Sequence, residues 1–220
     1  MEAATQALQW VEYIENYGQS ELGSVTVRRG TEPSSKSRSV GKAIEGVEVC
    51  AMTPEGTLAP VGTAGELCVR SDGALLAYIG GSEDAGELRK FGDDWVTTGD
   101  VAEIDEDGFV TFVDRTRDII FSGGANIYST EVENVIYQMS GIEECAVFDI
   151  PDSRLGEVTA AHVVGRAGSN FSTQEVIEFC SDQLSPFKVP IVVEIVESLP
   201  KSAVGKIRKN VLRERYQSWS

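Results

Sequence analysis

The stretch Thr97–Gly124, TTGDVAEIDEDGFVTFVDRTRDIIFSGG, constrains this chain more than any other. Apolar residues alternate through Val101–Ile104 and Phe109–Val113, on either side of Asp105-Glu106-Asp107-Gly108. Alternation with period two around an Asp-Gly pair predicts an antiparallel hairpin closed by a tight reversal, with Gly108 at positive φ. In such a hairpin Arg115 returns to the end from which Asp100 departs. A carboxylate and a guanidinium then face one place. Together they can grip a sugar diol, because the carboxylate accepts from two hydroxyls and arginine donates in a fork. On this segment alone, a surface turn with an ordinary salt bridge is the preferred reading.

A chain of 220 residues, 41% hydrophobic and 25% charged, fits one domain or two modest ones with a real core. No apolar run approaches the roughly 18 residues of a membrane span. The opening MEAATQALQWVEYIE lacks the basic start and apolar centre of a secretory signal, so a cytoplasmic location is expected. Cys50, Cys68, Cys145 and Cys180 are widely spaced, with no Cys-x-x-Cys or Cys/His grouping. They read as reduced, mostly buried thiols, not a zinc site or disulfide framework. The formal charge of −16 disfavours nucleic acid or an anionic membrane as partner. Charge is uneven, however: Lys201, Lys206, Arg208, Lys209, Arg213 and Arg215 meet one acid, Glu214, in the tail. Such a tail is a solvated helix face or a surface for a phosphate-bearing ligand.

Before the hairpin, residues 1–15 carry weak helical periodicity in Leu8, Val11 and Ile14, and Asn16–Glu21 reads as a polar loop. Short β-rich runs follow at Val25–Arg28, Val47–Met52 and Glu66–Arg70, separated by Gly- and Pro-bearing turns. They predict part of a small antiparallel barrel or sheet. Gly80–Asp84 lacks the lysine and the strand–loop–helix frame of a phosphate loop and reads as surface. After the hairpin the pattern becomes mixed. Ser129-Thr130 followed by Glu133, and Ser172 with Glu175, are capping-box starts, and a last helix is predicted near Arg208–Tyr216. Cys145–Ile150, Val158–Val164 and Ile191–Val196 read as strands. The fold class is therefore α+β, a partial antiparallel β subdomain followed by a small α+β unit with a three-stranded sheet and three helices. The lone histidine, His162, lies inside a predicted strand and reads as a core or sheet-face residue. No catalytic triad or zinc spacing is present. Gly205-Lys206 lacks the rest of a triphosphatase loop, since Pro200 stands where its first Gly belongs and Ile207 follows the lysine.

Several short pieces nevertheless succeed one another in a distinctive order: Tyr17-Gly18-Gln19-Ser20-Glu21, Gly65-Glu66-Leu67, Trp95-Val96-Thr97-Thr98-Gly99-Asp100 and Asp114-Arg115. Ser122-Gly123-Gly124-Ala125-Asn126-Ile127 follows with Glu131-Val132-Glu133, then Pro151-Asp152, Gly156-Glu157, Phe187-Lys188-Val189-Pro190 and Pro200-Lys201-Ser202 with Gly205-Lys206. From Glu15 onward the chain resembles the AMP-forming acyl-CoA synthetases of the acyl-adenylate-forming superfamily, which also holds luciferases and peptide-synthetase adenylation domains. The Gly-Gly-x-Asn-Ile loop is similar to that of a CoA ligase. Ser20 departs from the usual Thr but keeps a hydroxyl, and Asp94 replaces a common Gly before the Trp.

The resemblance implies ATP, Mg²⁺ and coenzyme A as cofactors or co-substrates of a ligase acting on a small carboxylic acid. It places Lys206 as the adenylation lysine, Asp100 and Arg115 on the ribose, Tyr17 by the adenine and Ser20 near the phosphate. Glu21 would help hold Mg²⁺, a hard cation that takes oxygen ligands. Arg117 would be the pivot of a hinge at 115–118, between the C-terminal part of a large AMP-binding domain (1–114) and a mobile lid (119–220). Gly123 and Gly124 would line the thiol's path. The family's N-terminal phosphate loop and most of its acyl pocket have no counterpart in residues 1–16. The chain is therefore expected to be the C-terminal portion of an acid–CoA ligase, unable to adenylate alone, with exposed apolar surface or self-association. Two alternatives stand beside this: an interaction module that binds nucleotide or CoA or completes a partner half-enzyme, and a peptide-synthetase adenylation fragment.

Overall fold

The computed structural model describes residues 12–75, 90–91 and 94–217. The expected helix over 1–15 falls mostly outside them, as does the loop at 80–84. The chain separates into two compact units, Met1–Thr116 and Arg117–Ser220.

The first unit contains β1 (Ile14–Gln19), β2 (Gly23–Arg29), β3 (Lys42–Ala43), β4 (Val47–Met52), β5 (Gly65–Ser71), β6 (Lys90–Phe91), β7 (Trp95–Ile104) and β8 (Val110–Arg115). They form a three-stranded sheet, β1-β2-β3, and a five-stranded one, β4-β5-β7-β6, with β8 also on β7. Ten residues make β7 long enough to pair β6 near Trp95 and β8 from Asp100 onward. Leu22, Val25, Val69 and Val96 form one core cluster and Leu67, Ala102 and Val110 another; Tyr17 packs against both. The predicted hairpin is β7–β8. Asp105 Oδ1 accepts from the amides of Asp107 and Phe109, and Gly108 sits at φ 82°.

One expectation is corrected here. Residues 16–19 belong to a strand, β1, paired antiparallel with β2, and are not loop. The alternation that marks a strand is hidden because the inward positions are polar. Glu15 pairs with the buried Arg28 guanidinium at 2.6 Å, and Tyr17 and Gln19 turn toward Asp100.

The second unit is built on a five-stranded sheet, β10-β9-β12-β11 with β13 parallel to β12. Its strands are β9 (Ile119–Ser122), β10 (Ala125–Tyr128), β11 (Ile142–Asp152), β12 (Gly156–Gly165) and β13 (Val192–Ile195). The hairpin β9–β10 adds to the three strands read from the sequence. Helices span Ser129–Ile136, Thr173–Ser181 and Lys209–Glu214. Both faces of the sheet are covered, so β11 buries the four consecutive residues Cys145–Phe148 with no alternation. Cys145 and Val147 point into one core with Ile136 and Val176. Ala146, Phe148 and Ile150 point into the other with Leu212 and Tyr216.

The capping box at Ser172–Glu175 forms in both directions. That at Ser129-Thr130 with Glu133 does not, because both hydroxyl residues already lie inside the helix, whose N-cap is Tyr128. Tertiary partners claim both side chains: Ser129 Oγ accepts from Lys209, and the Glu133 carboxylate accepts from Lys209 and from the Val147 amide.

Candidate nucleotide site

Asp100 and Arg115 are register partners at the open end of the β7–β8 hairpin. A register shift between Val101 and Ala102 bends the ladder beside them. Arg115 Nε lies 3.7 Å from Asp100 Oδ1, too long for a direct hydrogen bond, so that oxygen keeps acceptor capacity. The other oxygen, Oδ2, is fully engaged. The Tyr17 hydroxyl donates to it at 2.6 Å and Gln19 Nε2 at 3.0 Å. Gln19 Nε2 is also 2.9 Å from the Thr98 carbonyl. Thr98 Oγ1 in turn donates to the Leu67 carbonyl at 2.8 Å and accepts from the Asp100 amide at 3.1 Å. The acid is 6% exposed and rigidly aimed, while Arg115 is partly open to solvent. Burial, then the bond to Asp100, pushes the Tyr17 hydroxyl well above its ordinary pKa, so it stays a donor at any physiological pH.

Tyr17 and Gln19 reach the same carboxylate because they are two apart on one strand and share a face. Gly18 between them is required by space. A Cβ there would stand 2.1 Å from the Gly23 carbonyl oxygen, where β1 and β2 close together. Gln19 is the residue that sequence reasoning left without a role, although its spacing from Tyr17 was the available signal. Ser20 is exposed in the turn after β1, and Glu21 is partly buried beside it, its carbonyl accepting from the Leu75 amide.

In the second unit, Gly123 and Gly124 are the two turn residues of the β9–β10 hairpin, closed by the pair Ser122–Ala125. Both have positive φ, 55° and 86°, as a tight right-twisting hairpin demands. A Cβ on Gly123 would meet Leu155 at 3.1 Å, whereas one on Gly124 would meet nothing within 4 Å. The turn geometry alone accounts for the second glycine.

Lys206 closes a small loop bridged between Lys201 and Ile207, with Gly205 at φ 81° and the Ser202 amide donating to the Lys206 carbonyl. Its side chain is exposed and, among the described residues, makes no hydrogen bond or ion pair. Arg117 is exposed, and its carbonyl accepts from Arg213, which also binds Asp118 and Asp149. Two of the ordered sequence pieces explain each other. Lys188 donates to both oxygens of Glu131 at 2.7 Å, and the Glu157 carboxylate accepts from the Phe121 amide. Among the described residues no group of three or more His, Cys, Asp or Glu side chains could hold a metal ion.

One unit thus holds a buried acid beside an arginine, and the other an exposed lysine and a Gly-Gly turn. Two family models match: AMP-binding enzyme over residues 1–79, and AMP-binding enzyme C-terminal domain over residues 131–206. The chain belongs to this family of AMP-binding enzymes. Its relatives are CoA ligases. One, a methyl-dioxo-octahydro-indenyl-propanoyl:CoA ligase of Rhodococcus jostii, is 40% identical over 199 residues, 90% of this chain and 36% of the relative. The long-chain-fatty-acid–CoA ligase FadD13 of Mycobacterium tuberculosis is 34% identical, covering 94% of this chain and 41% of its own. Among solved structures, ATP-bound MatB from Rhodopseudomonas palustris aligns with a TM-score of 0.83 at 33% identity, over 94% of this chain and 41% of that one. The chain thus spans about two fifths of the relatives it matches. Among the described residues no helix is long and apolar enough to cross a membrane.

Proposed function

We propose that this chain is the C-terminal portion of an AMP-forming acid–CoA ligase that depends on the rest of such an enzyme for adenylation. The observation that carries the reading is the Asp100–Arg115 pair, with one carboxylate oxygen held by Tyr17 and Gln19 and the other turned toward the arginine. A ribose diol fits that arrangement: its hydroxyls donate to Asp100 and accept from Arg115. The Tyr17 ring then lies by the adenine and Ser20 by the phosphate.

In the first reaction a carboxylate oxygen of the acid forms a bond to the α-phosphorus of ATP, and the bond to pyrophosphate breaks. Negative charge gathers on the bridging and phosphoryl oxygens. A lysine free of other partners, Lys206, is the cation to stabilise it. In the second, the thiol sulfur of CoA bonds to the acyl carbon, its proton leaves, and AMP departs with the electrons of the broken C–O bond. The Gly123–Gly124 turn lines the thiol's approach. Rotation about Arg117 presents Lys206 for one step and the glycine turn for the other. When bound, Mg²⁺ would neutralise phosphate charge. Glu21 offers it a single carboxylate, which suits an ion held mainly by nucleotide oxygens and water.

Equilibrium binding of AMP to the purified chain, compared with its dideoxy analogue, tests the ribose assignment. Two hydroxyls bonded to charged groups are worth at least about 1.4 kcal/mol together, so the analogue should bind at least about tenfold more weakly. Asp100→Asn should shrink that preference, because the hydroxyls lose a charged acceptor. Equal affinity of the wild-type chain for both nucleotides would refute the assignment.

A further inference from the structure

Cys50 and Cys68 lie directly opposite each other in the antiparallel β4–β5 ladder. Opposed residues project to the same face, with Cα atoms about 4.5 or 5.5 Å apart depending on the pair type. Both separations lie inside the roughly 4.4–6.8 Å range of protein disulfides. The pair is on the face away from Val49, Val69 and Leu67, which enter the core. Two residues along the same row, Glu48 pairs with Arg70, and the Arg70 guanidinium stacks over Trp95 at 4.9 Å. Cys68 is fully buried, its thiol 3.7 Å from the Glu66 carbonyl, while Cys50 is partly open to solvent. All four cysteines are free thiols.

We propose that Cys50 and Cys68 form a peroxide-oxidisable dithiol in which Cys50 attacks and Cys68 resolves. The asymmetry of the pair assigns the roles. Cys50 is the thiol that solvent and peroxide can reach, and the Arg70 charge two residues along the row favours its thiolate. Cys68 is fully buried with its S–H on the Glu66 carbonyl, and burial keeps it protonated. The Cys50 thiolate attacks one oxygen of hydrogen peroxide; an S–O bond forms, the O–O bond breaks and hydroxide leaves. The Cys68 sulfur then attacks the Cys50 sulfur. An S–S bond forms, the S–O bond breaks, and the oxygen leaves as water with the Cys68 proton. Two electrons pass from the thiols to the peroxide. Cys145 and Cys180 serve as internal controls, because burial raises their thiol pKa values to about 12 and about 11. The inference is independent of the ligase reading.

The test exposes the folded chain to limiting hydrogen peroxide, alkylates the remaining thiols and cleaves after glutamate, where Glu55 separates the two cysteines. The expected product is a single Cys50–Cys68 cross-link, formed before Cys145 or Cys180 reacts. Cys68→Ser should leave Cys50 as a sulfenic acid captured by dimedone, and Cys50→Ser should slow peroxide consumption by about tenfold or more. Circular dichroism checks that the variants are folded, and the wild-type cross-link is read independently of them. Scrambled pairing, oxidation of Cys145 or Cys180 at the same rate, or wild-type Cys50 passing to sulfinic acid without cross-linking would overturn the proposal.

Discussion

Tyr17→Phe removes one hydroxyl and tests the logic of the Asp100 cluster. The phenol donates to a carboxylate at 2.6 Å across 83 residues of sequence, in a partly buried setting. Hydrogen bonds to charged groups contribute about 1.5–3 kcal/mol. Asp100 Oδ2 keeps its second donor, Gln19, so the expected loss lies at the lower end, about 1.5–2 kcal/mol near pH 7. The deficit should also depend on pH. Burial, then the Asp100 bond, raises the folded-state pKa of Tyr17 above its ordinary value of about 10. Stability from this group is therefore fully present below pH ~10 and is lost as pH rises toward the folded pKa. At pH ~11 the wild-type chain should have lost up to about 1.4 kcal/mol through Tyr17, a loss that phenylalanine cannot incur. Urea unfolding of both proteins, followed by circular dichroism at pH 7 and pH 11, should show the stability gap shrinking. A variant as stable as wild type at pH 7, or a gap independent of pH, would refute the reasoning.

Arg213→Ala should destabilise the second unit by about 2–3 kcal/mol, since it leaves Asp118 and Asp149 unpaired in partly buried positions. Amide exchange around Arg117 and Asp118 should rise, and Arg213→Lys should restore less than half of the loss. His162 is fully buried against Phe148, with Nε2 2.9 Å from the Tyr216 hydroxyl and Glu194 at 3.5 Å; burial holds its pKa below the ordinary value of about 6.5. Stability from neutral His162 is present above that value and lost as pH falls below it, and NMR of this sole histidine should show a midpoint below about 6.5; one at or above it refutes the argument. In a complete ligase containing this chain, Lys206→Ala should cut acyl-adenylate formation by about a hundred- to a thousandfold while sparing thioester formation from supplied adenylate. Equal loss in both half-reactions would remove Lys206 from its role. Arg117→Pro fixes φ at the pivot and should impair chiefly one half-reaction, with wild-type rates in both excluding the pivot.

Local patterns were most legible where both sequence periodicity and turn chemistry agreed. The β7–β8 hairpin, its Asp-Gly reversal and the capping box at Ser172–Glu175 are of this kind. The strand β1 was not, because its inward positions hold Glu15, Tyr17 and Gln19 where an apolar alternation would otherwise appear. Ser129-Thr130 followed by Glu133 carries the pattern of a cap, yet Lys209, far along the chain, is the partner that Ser129 and Glu133 take. The β9–β10 hairpin escaped as strands because each is only four residues long, too short for periodicity to register.

Short-range choices are written in the amino-acid order itself: where the chain reverses, which faces of its strands are apolar, and the order of pieces that marks an AMP-binding enzyme. Those depend on φ preferences and on periods of two or 3.6 residues, which a few neighbouring side chains carry. It takes the folded chain to bring Tyr17 and Gln19 onto Asp100, Lys188 onto Glu131 and Cys50 opposite Cys68. Each of those contacts joins groups at least 18 residues apart in the sequence, and their meeting is set by strand register and packing, which no local pattern encodes.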